Sequence, residues 1–233
     1  MLEQCRDDAG NDPYRWVEAA VDAQRAVLDL ACGSAPLTDR HNTWIGLDAS
    51  SAELGAAAAR GASPLVAGDA TALPFAAASF DAVVCSMALM VTQPLERVLQ
   101  EITRVLRPGG QLVALLPTTR PLGLADYLRY ARLLMTLRHT GLGYPNDDAL
   151  TDIAHTLERG GLTLIQDDRR RFTYPVATPD AARQLVASLY LPRVDAARVT
   201  AAERATSRWV GHTLGVPLRR IVARRSDPQS PSS

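Results

Sequence analysis

The chain has 233 residues, which suits one domain with a substantial core. Hydrophobic residues make up 47% and charged residues 21% of the sequence, so its composition is that of a folded protein rather than a disordered one. The 25 basic and 25 acidic residues cancel, and a neutral chain lacks the positive surface on which nucleic-acid binding depends.

Short apolar runs alternate with helical patterns in the first half of the chain, which is typical of strand–helix units around a parallel sheet. Asp12 and Pro13 predict the start of a helix to about residue 23, within an N-terminal cap segment 1–25. The core, residues 26–117, is predicted to hold strands 26–30, 44–47, 65–67, 80–86 and 111–116, a helix opened by Ser50 and Glu53 and closed by Gly61, and a helix 94–106 stopped by Pro108-Gly-Gly110. Each strand ends at a polar or small residue, so a ligand should bind along the carboxyl edge of the sheet.

Residues 118–215 are predicted to supply helical cap segments and a sixth strand. The predicted elements there are helices 123–138, 146–160, 178–190 and 200–213 and a long strand 162–174, with Asn146 and Thr178 as the caps of the second and third helices. Residues 216–225 read as the last strand, and the polar tail 226–233 is expected to be disordered. We therefore expect a single domain over residues 1–225.

The cysteines and the apolar runs restrict the chemistry and the location. Cys5, Cys32 and Cys85 are odd in number and widely spaced, which argues against both a disulfide framework and a metal site. No apolar run approaches the roughly 20 residues that span a bilayer, and the N-terminus is too polar for a signal peptide. We expect a cytoplasmic protein without a metal or a membrane partner, either a monomer or a homodimer.

The turn after the first strand, Asp29-Leu-Ala-Cys-Gly-Ser-Ala-Pro36, is rich in small residues that let the backbone approach a ligand. The Gly-x-Gly-x-x-Gly fingerprint of dinucleotide binding is absent, since only Gly33 stands at a glycine position. Asp29 could contact a ligand or could cap the turn.

Acidic residues follow the second and third strands. Asp48 can accept both ribose hydroxyl protons of a nucleoside, or it could cap the following helix, although Ser50 with Glu53 already supplies a cap. Asp69 could accept from an adenine amine, or could belong to a simple Gly-Asp-Ala turn. Together they fit an adenosine ligand without phosphates.

Several ordered segments make the chain resemble the class I S-adenosylmethionine-dependent methyltransferases, in particular the small-molecule branch that includes quinone-biosynthesis-like enzymes. The segments are Val27-Leu-Asp-Leu-Ala-Cys-Gly-Ser-Ala35, Gly46-Leu-Asp-Ala-Ser50, Gly68-Asp-Ala70, Leu73-Pro-Phe75, Ser79-Phe-Asp-Ala-Val83 and Arg104-Val-Leu-Arg-Pro-Gly-Gly-Gln-Leu112. One departure from the family pattern is Ala35 at the third glycine position, which costs little if its φ is negative.

The resemblance implies an α/β fold, a three-layer Rossmann-like sandwich whose seven-stranded sheet is mostly parallel, with the last strand antiparallel and placed beside the fifth. It implies S-adenosyl-L-methionine as cofactor. The implied contacts are Asp29, Ala31 and Gly33 with the methionine part, Asp48, Ala49 and Ser50 with the adenosine, Asp69 and Ala70 with the adenine, and Ser86 and Met87 with the amino-acid end and the methyl group.

The residues that could bind the methyl acceptor are indicated by weaker patterns. Tyr14, Tyr127, Tyr130 and Met135 could line a pocket for a hydrophobic or aromatic acceptor, or could belong to helix cores. His139 is the best candidate for a general base, or it could be an exposed histidine at a helix end. Arg169-Arg-Arg171 could bind an anion or could lie on a solvated strand edge.

The sequence therefore predicts an enzyme that transfers a methyl group to a small organic acceptor by in-line displacement. One alternative is a protein that binds S-adenosylmethionine without methyl transfer, for instance to shape a pocket for another reaction. A nicotinamide-dependent dehydrogenase on a similar sheet is a second alternative, disfavoured by the missing glycine fingerprint.

Overall fold

The computed structural model describes residues 1–21, 25–38, 44–139, 141–192 and 194–226. The chain divides into two compact units, each assembled from three segments. The first unit consists of residues 1–13, 118–144 and 169–218, and the second of residues 14–117, 145–168 and those from 219 onward. The predicted single domain over residues 1–225 stays a prediction.

Seven strands form one sheet. They are β1 (Val27–Leu30), β2 (Trp44–Asp48), β3 (Leu65–Ala67), β4 (Phe80–Ser86), β5 (Leu106–Pro117), β6 (Leu162–Val176) and β7 (His212–Arg225). Their order is β3-β2-β1-β4-β5-β7-β6, and the sheet is mostly parallel with an antiparallel strand. The predicted fold class is confirmed, with the last strand beside the fifth.

Eight α-helices and one short 3-10 helix, Leu2–Gln4, are present among the described residues. The α-helices are α1 (Pro13–Glu18), α2 (Ser51–Ala59), α3 (Leu95–Val105), α4 (Leu124–Leu137), α5 (Asp147–Thr151), α6 (Ile153–Arg159), α7 (Pro179–Ala187) and α8 (Ala196–Ser207). Within the first unit, α8 packs against both α4 and α7. Within the second unit, α2 contacts β2 and β3, and α3 contacts β5.

Local sequence explains most of these elements. All four residues of β1 are buried, as expected for a parallel strand covered on both faces. Ser50 caps α2, because its side chain accepts a hydrogen bond from the Glu53 N–H, and Thr178 caps α7 in the same way through the Ala181 N–H. The helix starts at these two positions are confirmed.

Several predicted boundaries were wrong in the second unit. Helix α1 ends at Glu18 rather than near residue 23, and residues 22–24 lie outside the described residues. Strand β5 begins directly after α3, since Leu106 already pairs with Phe80 while Gln111 pairs with Ala82. Residues 107–110, which contain the Pro-Gly-Gly turn, are therefore a bulge inside a strand rather than a stop before it.

The predicted helix 146–160 is divided into α5 and α6 at Asp152, whose side chain accepts from the His155 N–H and starts a new helix. In the first unit, α8 begins at Ala196 rather than Thr200, because Asp195 caps it through the Arg198 N–H. Strand β7 begins at His212 rather than residue 216.

The end of the described chain differs from the predicted disordered tail at one residue. Ser226 donates its N–H to the Gly161 carbonyl, and its hydroxyl lies 2.9 Å from that of Thr163. Residues 227–233, the rest of the predicted tail, lie outside the described residues. None of the helices in the described residues is long and apolar enough to cross a membrane.

Candidate cofactor site

The ten residues predicted to bind the cofactor all belong to the second unit. They lie at the carboxyl ends of four strands that are consecutive in the sheet, β3, β2, β1 and β4. The register brings these ends level, since Leu30 pairs with Leu47 and Asp48 pairs with Ala67. Because parallel strands end at one edge, the topology places these residues along the same edge of the sheet.

The turn after β1 has an unusual backbone. Ala31, Gly33 and Ala35 all have left-handed conformations, with φ values of 54°, 55° and 53°. Ala35 therefore lacks the negative φ at which an alanine would cost little, since the turn repeats a left-handed residue at every second position. A left-handed residue with a side chain costs about 1–2 kcal/mol, and such strain tends to persist at functional sites.

We expect Ala31→Gly to raise the free energy of unfolding by about 0.5–1 kcal/mol, because glycine relieves the left-handed strain. The matched control is Ala57→Gly in the interior of α2, where the same change should lower stability by about 1 kcal/mol. Urea denaturation of both variants measures the two signs. A destabilised Ala31→Gly protein would show that the Ala31 methyl contributes more through packing than it costs in strain.

The turn packs closely on β2 because residue 46 has no side chain. A methyl group at Gly46 would lie 2.9 Å from Leu65 Cδ2, 3.0 Å from Cys32 Sγ and 3.1 Å from Thr38 Oγ1. Cys32 also donates its N–H to the Leu47 carbonyl over 3.0 Å. Gly46 thus allows the turn to sit directly against the end of β2.

Asp48, at the end of β2, joins the turn to the start of α2. Its Oδ2 accepts the Gly33 N–H and its Oδ1 accepts the Ser50 N–H, both over 2.8 Å. Asp48 thus accepts the N–H of the residue that caps α2, while the Ser50 side chain accepts the Glu53 N–H. A carboxylate has about four acceptor positions, so about two remain on the half-buried Asp48 for a ligand.

Asp29 differs from Asp48 in its burial. Its carboxylate is 2% exposed and accepts the Thr38 hydroxyl over 3.0 Å, which ties the end of β1 to the far side of the turn. This bond matches the turn-holding alternative considered from the sequence. Direct contact between Asp29 and a ligand stays a prediction.

Asp69 starts the loop that follows β3. Its Oδ1 accepts the Thr71 N–H over 2.8 Å, which forms the turn that sequence reasoning kept as an alternative. This hydrogen bond holds the pKa of Asp69 below its usual value, so the carboxylate is ionised near neutral pH. Asp69 is exposed and Ala70 is half-buried, and the second carboxylate oxygen remains an acceptor.

Strand β4 ends at Ser86, and Met87 follows it. The Ser86 hydroxyl oxygen is buried and lacks a hydrogen-bond partner within the described part of the chain. Met87 has a left-handed backbone, with φ of 59°, and donates its N–H to the Leu115 carbonyl over 2.8 Å. A buried hydroxyl without a partner beside a strained residue marks a place where a polar ligand atom would be stabilised.

Asn146 is a residue that sequence reasoning misread. It was predicted to cap a helix, but its side chain makes no cap bond and instead donates to the Leu89 and Thr92 carbonyls, both over 2.7 Å. These carbonyls belong to the loop after Met87. Asn146 therefore fixes the loop that leaves the site, a role that only a contact 54 or more residues away reveals.

The cysteines carry no nucleophilic role here. Burial raises the pKa of both Cys32 and Cys85 to about 12, and the nearby Asp29 carboxylate acts in the same direction. Both thiols are therefore protonated near neutral pH and behave as small buried apolar groups. Nor does any cluster of three or more His, Cys, Asp or Glu side chains in the described ranges have an arrangement suited to a metal ion.

The residues predicted for the acceptor side are divided between the two units. Tyr14 is half-buried in the second unit, whereas Tyr127, Tyr130, Met135 and His139 belong to the first. Tyr127 is 63% and Met135 is 70% exposed, so neither is a core residue of α4. The Tyr130 hydroxyl donates to the Gly215 carbonyl over 3.0 Å, and burial raises its pKa above the usual value.

Arginines of the β6 triplet pair with acidic side chains inside the first unit. Arg170 pairs with Asp7 over 2.6 Å, and Arg171 donates two hydrogen bonds to Asp126. Arg169 also has an interaction partner. At least two of the three arginines thus pair with carboxylates of the first unit, and anion binding by the triplet stays a prediction.

Comparisons with known proteins agree with this geometry. Residues 28–114 match a family model described as a methyltransferase domain. A demethylmenaquinone methyltransferase of Mycolicibacterium paratuberculosis is 43% identical over 113 residues, covering 45% of this chain and 48% of its own length. One from Beutenbergia cavernae is 41% identical over 116 residues, covering 46% and 48%. The chain thus spans about half the length of the curated relatives it matches.

Two solved structures share the fold over most of the chain. A methyltransferase dependent on S-adenosylmethionine from Mesorhizobium loti has a TM-score of 0.51 and 17% identity, covering 91% of this chain and 96% of its own. The cyclase SpnF has a TM-score of 0.58 and 19% identity, covering 91% and 81%. These likenesses concern the fold alone.

Proposed function

We propose, from the premise that residues 28–114 belong to the class I S-adenosylmethionine-dependent methyltransferase family, that this chain transfers a methyl group to a small organic acceptor. The observation that carries the proposal is the position of Asp48 at the end of β2. It is tied to the turn after β1 and keeps about two acceptor positions for the paired hydroxyls of a ribose.

The side chains at this edge fit S-adenosylmethionine on several counts. The turn has a small residue at each left-handed position, so its backbone can approach a ligand. Asp69 offers a second ionised carboxylate, and the unpartnered Ser86 hydroxyl offers a donor. No site for a pyrophosphate is provided, because the nucleotide glycine fingerprint is absent.

The cofactor would supply an electrophilic methyl group, so the chain needs no covalent nucleophile. Asp48, with Ala49 and Ser50 beside it, would hold the sugar, and Asp69 with Ala70 would hold the base. Asp29, Ala31 and Gly33 would shape the methionine end, and Ser86 and Met87 would face the reacting group. Such alignment can contribute about 7–11 kcal/mol to lowering the barrier.

The acceptor proposed is a small hydrophobic or aromatic molecule. Two relatives that match the cofactor half are named demethylmenaquinone methyltransferases, which favours a ring-containing acceptor such as a demethylated quinone. Tyr14, Tyr127, Tyr130 and Met135 are the candidate contacts. Tyr130 would act as a hydrogen-bonding or packing group and not as a base, since its raised pKa keeps it protonated.

The direct test is transfer of a radiolabelled methyl group into a demethylated quinone supplied in its reduced, hydroquinone form, which is the nucleophile, with S-adenosylhomocysteine measured in equal amount. Transfer supports the proposal. Binding of S-adenosylhomocysteine without methyl transfer to any ring acceptor would favour the alternative of a protein that binds the cofactor for another purpose. That alternative is considered because a cyclase has a similar fold. Thermal protection by reduced nicotinamide dinucleotide, and not by S-adenosylhomocysteine, would favour the dehydrogenase.

We expect His139→Ala to lower the methyl-transfer rate by less than about a thousandfold, because the rate should depend on alignment more than on base catalysis. His139 follows the left-handed residue Arg138 that ends α4, and its N–H donates to the Leu134 carbonyl. Single-turnover rates of the variant and the parent protein measure the effect. A larger loss, accompanied by a changed pH–rate profile, would identify His139 as the base.

A further inference from the structure

We propose that three charged side chains of α3, Arg97, Glu101 and Arg104, act as positioning residues for recognition of the adenine base. This inference rests on the proposed function, because it assigns a role toward the same cofactor. It concerns the loop between β3 and β4, residues 68–79, which we name the post-β3 loop. Asp69 and Ala70, the candidate base contacts, lie at the start of this loop.

The three side chains stand on one face of the helix, at spacings of four and three residues. Arg97 Nε donates to the Thr71 carbonyl over 3.1 Å. Glu101 Oε2 accepts the Leu73 N–H over 2.8 Å. The three residues therefore contact the post-β3 loop through its main chain.

Arg104 makes the most extensive contacts. Its Nη1 donates to the Phe75 carbonyl over 2.7 Å, and its Nη2 donates to the Leu73 carbonyl over 3.0 Å. The same guanidinium donates to both oxygens of Glu101, over 2.9 and 2.7 Å. Arg104 and Glu101 thus form a planar, two-pronged pair that fixes the orientation of the loop as well as its distance.

Thr71 connects the α3 side chains to Asp69 through hydrogen bonds. The Thr71 N–H donates to Asp69 Oδ1, while the Thr71 carbonyl accepts from Arg97. The Ala72 N–H also donates to the Asp69 carbonyl over 3.0 Å. The direction of the Asp69 carboxylate is therefore set by a peptide segment whose other side is held by α3.

The partial burial of this ion pair argues for a role in geometry. Glu101 is 5% exposed and the Arg104 side chain is 36% exposed, so the cost of removing Glu101 from water offsets part of the attraction between the two charges. A guanidinium fork, in contrast, specifies the positions of the carbonyls it contacts. The hydrogen bond from Arg104 lowers the pKa of Glu101, so the pair stays ionised near neutral pH.

The test compares calorimetric affinities for S-adenosylhomocysteine and for its analogue with hypoxanthine in place of adenine. This replacement turns the exocyclic amine donor into an acceptor and leaves the ribose unchanged. We expect the parent protein to prefer the adenine compound by at least about tenfold, since a charge-assisted hydrogen bond is lost with the analogue. We expect Arg104→Lys and Glu101→Gln to reduce this preference by about fivefold or more, because the loop carrying Asp69 is then misplaced.

Glu96→Gln is the matched control, since Glu96 is an exposed α3 residue paired with Arg159 and makes none of the loop contacts described above. It should leave the preference within about twofold of the parent value. Arg97→Met is the second variant, because Arg97 is half exposed and its loss should not prevent folding. It should also reduce the preference, so the test stands even if the buried variants fail to fold.

A lowered melting temperature with an unchanged base preference in all variants would overturn the inference, since a purely structural pair has that effect. So would a parent protein that binds both compounds equally well, although the proposed function would then survive. A parent protein that binds neither compound would overturn both.

Discussion

Replacing Asp48 with alanine should weaken binding of S-adenosylhomocysteine by at least about tenfold, or about 1.4 kcal/mol, with the chain still folded. The variant would lack the hydrogen bonds that we propose between the carboxylate and the ribose. The Gly33 and Ser50 N–H groups would also lose their acceptor. The turn after β1 should also loosen, which adds to the loss of affinity. Calorimetric titration of the variant and the parent protein measures the change.

Asp81→Ala provides the matched control for this variant. Asp81 Oδ2 accepts the Ala26 N–H over 3.1 Å and pairs with Arg107 over 2.7 Å, so it too joins a strand to neighbouring chain. Asp81 lies near the start of β4, at the amino end of the strand, where no cofactor contact is proposed. Its loss should lower stability but leave the affinity within about twofold. Equal affinity of Asp48→Ala and the parent protein would contradict the ribose assignment.

Replacing Asp126 with alanine should lower the free energy of unfolding by about 1–3 kcal/mol, the usual cost of leaving a buried hydrogen-bonding group without its partner. Asp126 is 4% exposed in the first turn of α4 and accepts from Arg171 Nε and Nη2 and from the Gly215 N–H. The variant leaves a buried N–H and a guanidinium without their acceptor. Urea denaturation measures the loss.

The same carboxylate should make stability depend on acid pH. Burial acts to raise the pKa of Asp126, but the Gly215 N–H and Arg171 outweigh it, and the folded pKa lies below the usual value. The ionised carboxylate therefore stabilises the folded protein above about pH 4, near the usual pKa of an aspartate. This stabilisation is lost as the pH falls through the lower pKa of the folded state. The stability difference between the parent protein and Asp126→Asn should therefore shrink on acidification.

Asp180→Asn tests whether burial is the cause. Asp180 also lies in the first turn of a helix of the first unit and pairs with Arg183, but its side chain is 83% exposed. Its replacement should cost less than about 1 kcal/mol at neutral pH. A comparable loss of stability in Asp126→Asn and Asp180→Asn would show that the effect comes from a negative charge at a helix start and not from the buried Asp126 carboxylate.

The sequence was most informative where local pattern and ordered motifs agree. The buried run of β1, the cap at Ser50 and the acidic residues after two strands predicted the strand–helix core and its ligand edge, because these features depend on neighbours in the chain. The predicted boundaries of strands and helices were wrong where a contact with a residue distant in the chain determines the structure. Leu106 pairs with Phe80, so a strand begins where the Pro-Gly-Gly run had suggested a turn.

The interactions that hold the candidate site were not predictable from the same evidence. The Arg104 motif was noted as a family feature, yet its partners are the carbonyls of Leu73 and Phe75, 31 and 29 residues away. Asn146 looked like a helix cap, and the polar groups it satisfies lie on a loop 54 and 57 residues away. A sequence pattern records which groups are polar but not which buried carbonyl each will meet.

What the sequence by itself determined is the class of fold and the sheet edge to which the predicted cofactor residues belong, because hydrophobic periodicity and strand ends are local properties. What the tertiary structure decided is the left-handed backbone at Ala35, the two N–H groups held by Asp48 and the partners of the arginine triplet. These depend on which segments pack together, since a buried polar group takes whichever partner the packing places within hydrogen-bond distance.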